Sequence, residues 1–148
     1  MVRTIWNDEE RRTLADRVAR LRPDSKGQWG TLSAPQMVVH ITDAVRMGIG
    51  ELTCAPKASP LRYPGINALV MFYLPWPKSA PTAPELLARK AEGWDAEVAR
   101  FTDALERFAA KPKDAAWPIH AAFGKLSGAQ WGRLMHRHIE HHLTQFGV

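Results

Sequence analysis

The sequence has a single cysteine, Cys54, among its 148 residues, so no disulfide can form within the chain and a reducing compartment suits it. It has no long apolar run: the longest, Ala68 to Trp76, is too short to span a bilayer and is interrupted by Pro75. The opening residues, Met1 to Glu10, carry neither the apolar segment nor the small-residue cleavage site of a signal peptide. A cytoplasmic protein without membrane attachment is expected. Strand signals are nearly absent, with no period-two run bounded by a hairpin turn. No internal repeat, low-complexity stretch or linker divides the chain. Residues 1–148 are therefore expected to form one domain, long enough to bury a core without staples.

What is present is ordinary for a globular chain, with 45% hydrophobic and 24% charged residues. The net charge of +5 and pI near 9.7 raise the question of nucleic acid. The basic residues are scattered and interleaved with acids, however, and no aromatic-plus-arginine platform is visible, so the charge reads as solvation.

Four helix starts are written in the same way. A capping side chain followed three residues later by Glu or Gln occurs at Asn7 to Glu10, Ser33 to Gln36, Thr82 to Glu85 and Ser127 to Gln130, each able to satisfy two orphan backbone donors. Pro35 and Pro84 fall in first turns, where a missing N–H costs nothing. Helices are predicted over about 8–22, 34–52, 83–110 and 128–146, giving an all-α fold. The third carries a seam of Leu87, Ala91, Trp94, Val98, Phe101, Leu105 and Phe108. A long proline-rich crossover, 55–81, joins helices two and three and holds an apolar piece, Asn67 to Leu74, able to form a short extra helix. A second long loop, 111–126, carries His120. Both loops could roof a site at one end of the bundle.

Four of the six histidines lie within the seven residues 136–142. At about 100° per residue, His138 and His142 sit in the middle of the apolar face made by Trp131, Leu134, Met135 and Phe146. His141 falls at its margin, while His136 and Glu140 point outward with Arg133 and Arg137. Two imidazoles at i and i+4 are stacked one turn apart and can converge on one ion. A bundle-core site needs a partner from a facing helix. His40, about two turns into helix two at the edge of its apolar arc, is the better candidate. His120 reads as a helix-flanking surface residue in preference to a pocket residue. Asp43, one turn beyond His40, could orient an imidazole or accept a proton, although an aspartate on a helix flank is more often solvated. Cys54 reads as inert filler.

These residues carry a resemblance. Gln36 to His40 on helix two, His138 to Gln145 on the last helix, the helix order, and the loop from His120 to Gly124 resemble the DinB/YfiT-like superfamily, in particular an uncharacterised subgroup of it. The resemblance covers nearly the whole chain. It implies a four-helix bundle with a long crossover between helices two and three, holding one divalent ion, nickel or zinc, by one histidine from helix two and two from helix four. Carried onto this sequence, those ligands are His40, His138 and His142. The subgroup often has proline after the loop histidine, where this chain has Ala121.

Three neutral nitrogens with the remaining positions open make a catalytic type of site. The resemblance implies activation of a low-molecular-weight thiol for transfer to an electrophile. Beside it, the positions of Asp43 and His141 make them the candidate catalytic side chains. A metal-dependent hydrolase is the nearest enzymatic rival, and a non-catalytic metal-binding or dimerisation scaffold is the rival from another class. The partners expected are a small molecule and a second copy of the chain in a homodimer.

Overall fold

The computed structural model describes every residue except Ser79, and among the described residues the chain is all-helical, with no strand. Five α-helices follow in order: α1 (Asp8–Ala19), α2 (Ala34–Gly48), α3 (Ile66–Phe72), α4 (Trp94–Ala110) and α5 (Gly128–Gln145). None is long and apolar enough to cross a membrane.

The local signals explain three of the starts. Asn7 accepts the Glu10 amide and is followed by Asp8, Glu9 and Glu10 in the first turn of α1, where carboxylates favour the helix dipole. Ser33 with Gln36, and Ser127 with Gln130, form full reciprocal caps at α2 and α5. Helices α1 and α2 stop at Ala19 and Gly48, three to four residues short of the predicted ends.

The fourth start differs from expectation. Thr82 to Glu85 opens only a single 3-10 turn, Pro84–Leu86, with no side-chain cap, and the long helix begins at Trp94. The reason is tertiary. Glu97, fully buried on α4, accepts the Glu92 amide and, with both oxygens, Arg89 Nη1, which holds residues 89–92 as a strap across the helix start. Leu87, placed in the seam by sequence, is 51% exposed. From Trp94 onward the seam holds: Phe101, Leu105 and Phe108 are buried, with Val98 and Trp94 packed against them.

Helix α2 is the centre of the molecule, with 12 of its 15 residues buried. It packs on α4 and α5, α1 packs on both of the same helices, and α3 lies on α5. At the end of α2 a Cβ on Gly48 would stand 3.0 Å from the Phe108 ring and 3.2 Å from Trp131. The glycine thus lets α2, α4 and α5 converge closely. The crossover helix α3 is fastened by Arg137, which donates to the Met71 and Leu74 carbonyls, and by Arg133 over the Phe72 ring.

Candidate metal centre

The pairing of α2 with α5 brings three imidazoles together. His40, 2% exposed, meets the half-buried His138 and His142, and one ring nitrogen from each lies within 4.8 Å of the other two. The rings form a triangle of centroid separations 4.9, 4.7 and 4.9 Å, each pair close to perpendicular. His40 Nε2 and His138 Nε2 face one another at 3.0 Å.

The outer nitrogens are spoken for. His40 Nδ1 lies 3.3 Å from the Leu86 carbonyl, which can only accept, so the proton sits on Nδ1 and Nε2 presents its lone pair inward. His142 Nδ1 is 2.8 Å from Gln145 Oε1. The orientation of that amide is fixed by its other end, because Gln145 Nε2 donates to the Trp29 carbonyl at 2.8 Å. His142 therefore also carries its proton on Nδ1 and turns Nε2 inward. Such partners set the tautomer and ring direction of metal-binding histidines.

Electrostatics keeps these rings neutral. Burial is the main force lowering the His40 value, partly offset by the Leu86 carbonyl and Asp43. Burial and then the neighbouring imidazoles hold His138 well below the usual value. His142 is pushed down to about 3, by burial first and His40 second. Three neutral imidazoles, each with one ring nitrogen in the cluster, are a donor set for a borderline divalent cation.

Asp43 occupies a different position from the solvated flank expected of it. It is 1% exposed, with Oδ1 accepting from Arg46 and both oxygens from Arg89. Its carboxylate is committed to holding the 89–92 strap, and through that strap the Leu86 carbonyl, three residues away, that braces His40. His141 lies half-buried beside the cluster, with its ring 5.4 Å from His142, 6.0 Å from Trp29 and 5.9 Å from Trp76.

Two histidines depart from the sequence expectation. His136, read as pointing outward, is 3% exposed and pairs with Glu10 at 2.7 Å. The helical wheel assumes one buried face, whereas α5 is covered on a second side by α1 and by the N-terminal segment, whose Ile5 amide bonds the Gly132 carbonyl. His120 is a built-in part of its loop and no mere surface residue. Its Nδ1 accepts the Ala122 and Phe123 amides, its ring lies between Phe123 and Trp131, and burial lowers its value to about 4. Glu140 faces away from the cluster and binds Arg17. Cys54 is buried, and burial followed by the Glu85 charge raises its thiol, which keeps it protonated and inert.

Sequence reasoning missed the Leu86 carbonyl, the Gln145 amide as a ring-orienting group, and the strap residue Arg89. Only Gln145 had a signal, its i+3 spacing from His142 on one helix face. No curated protein and no solved structure matches the chain. A family model described as a protein of unknown function, DUF1569, matches residues 8–147, from the start of α1 to just beyond α5, and the chain belongs to that family.

Proposed function

We propose that the chain is a DinB-like enzyme dependent on one divalent ion, nickel or zinc, held by Nε2 of His40, His138 and His142. In this reading α1, α2, α4 and α5 form the four-helix bundle, with the crossover running through α3. The observation that carries it is the tautomer control around the cluster. The Leu86 carbonyl and the Gln145 amide hold protons on the outer nitrogens of His40 and His142, leaving inner lone pairs that gather around one point.

An ion there would stabilise a thiolate at neutral pH and so favour transfer of a small thiol to an electrophile. The residues of the chain bind and orient. Leu86 and Gln145 set the directions of two ligands, Trp29 and Trp76 flank the histidines, and His141 stands where a proton could pass to or from a bound molecule.

The test is elemental analysis of protein purified without a histidine tag, followed by cobalt substitution. About one ion per chain is expected, falling below roughly a tenth of that in His40→Ala, His138→Ala or His142→Ala. Addition of 2-mercaptoethanol to the cobalt form should produce a sulfur-to-metal charge-transfer band. Retention of metal by all three variants would sink the ligand set. Metal binding with no response to thiols, together with turnover of an ester, would replace the transferase by the hydrolase. Metal binding with neither response would leave a scaffold.

A further inference from the structure

Two cations stand at the edge of the histidine cluster without a carboxylate partner. Lys78 Nζ lies 4.7 Å from the centroid of the Trp29 ring, and the Arg137 guanidinium 5.0 Å from that of Trp76. Both tryptophans pack against His141, and Trp76 is also 6.3 Å from His138. Among the described residues neither cation forms a salt bridge, and Arg137 is bonded only to the Met71 and Leu74 carbonyls.

The acids that the neighbouring helices carry are turned elsewhere. Asp43 is taken by Arg46 and Arg89, Glu140 by Arg17, and Glu10 by His136. The cluster itself supplies neutral rings. The edge where Lys78 is exposed and Trp76, His141 and Arg137 are partly so is therefore positive, aromatic and free of competing anions.

We infer that this edge is a binding subsite for a small carboxylate with a flat body, which would set its charge against Lys78 and Arg137 and its plane against the tryptophans. Cation and aromatic together select such a ligand, since the charge rewards the carboxylate and the indoles reward the ring. The inference deepens the proposed function by naming the class of its substrate, and it rests on that reading only for the reaction, since the subsite is made of protein atoms.

Benzoate is the probe and benzamide its neutral counterpart, titrated by ligand-observed NMR into metal-free and zinc-loaded protein. Benzoate is expected to bind the metal-free protein roughly tenfold more tightly than benzamide, a difference of about 1.4 kcal/mol. Lys78→Glu should abolish that preference, whereas Lys125→Glu, an exposed charge reversal elsewhere, should leave it. Equal binding of the two probes to metal-free protein, or an unchanged preference in Lys78→Glu, would overturn the subsite. Benzoate preference that appears only with zinc would assign the carboxylate to the ion and also overturn it. Failure of the wild type to take up zinc, with the benzoate preference intact, would sink the metal reading and leave the subsite standing.

Discussion

Turning the Gln145 amide over would set an N–H donor against His142 Nδ1 and move that ring's proton to the nitrogen that now faces His40. The Trp29 carbonyl prevents this by accepting from Gln145 Nε2, so a loop residue far away in sequence decides which nitrogen of His142 is available. Gln145→Ala removes the brace and keeps the ring. It should weaken zinc binding by roughly 10- to 100-fold, measured by competition with a chromogenic chelator. His136→Ala, which loses a buried pair with Glu10, should lower the melting temperature and leave zinc affinity unchanged. Equal affinity in Gln145→Ala and the wild type would show that the amide does not orient the ligand. The meeting of His138 and His142 was legible in the sequence because their i, i+4 spacing needs only a helix, and His40 was legible from its place at the edge of the apolar arc of helix two. The Leu86 brace was not, because a carbonyl carries no residue-type signal.

The elements show where local signals yield to tertiary ones. Ser33 and Ser127 start helices as written, and the apolar piece after Asn67 does form α3 (Ile66–Phe72). Thr82, with an equally good cap pattern, starts none, because a buried carboxylate on α4 claims the backbone and the arginine of the segment that follows. The all-helical class was thus readable from periodicity, while the true start of α4 depended on a charge pairing between residues eight apart that no local pattern announces. That strap should be energetically central. Arg89 bridges Asp43 and Glu97, which are 1% and 0% exposed, while its own side chain is 25% exposed. Arg89→Met leaves two buried carboxylates with Arg46 and Arg100 as their remaining partners. Removing one member of a buried pair costs about 3–5 kcal/mol, and the partial exposure of Arg89 places the expected loss in urea unfolding of the metal-free protein below that range, at about 2–3 kcal/mol. Zinc affinity should fall as well, since Leu86 is released along with the strap. An unchanged urea midpoint would show that residues 89–92 are held by packing alone.

At the scale of the whole molecule, the histidines couple folding to pH. An unfolded chain protonates its imidazoles near 6.5. In the folded protein His120 does so only at about 4 and His142 at about 3, while His138 and His40 are also lowered, in each case by burial above all. Between 6.5 and these values the unfolded state binds more protons than the native state, so stability is complete above that window and drains away as pH falls through it. Each such histidine contributes a slope of up to about 1.4 kcal/mol per pH unit. Carboxylates do not mask the effect in the upper part of the window: Glu85 is held low first by its bond from the Ala55 amide and Glu92 by Arg100, so both stay ionised there. The metal-free protein should therefore lose urea stability progressively from pH 6.5 to 4.5. His120→Gln, which removes one titrating ring outside the cluster, should flatten the slope by up to one proton, and His138→Ala should flatten it as well. A zinc-loaded sample should start from higher stability at pH 7 and fall more steeply, because protons must displace the ion before they reach the imidazoles. A flat stability profile between pH 7 and 4.5 in the metal-free protein would mean that the rings are reached by solvent in the native state, and the neutrality on which the donor set depends would be lost with it.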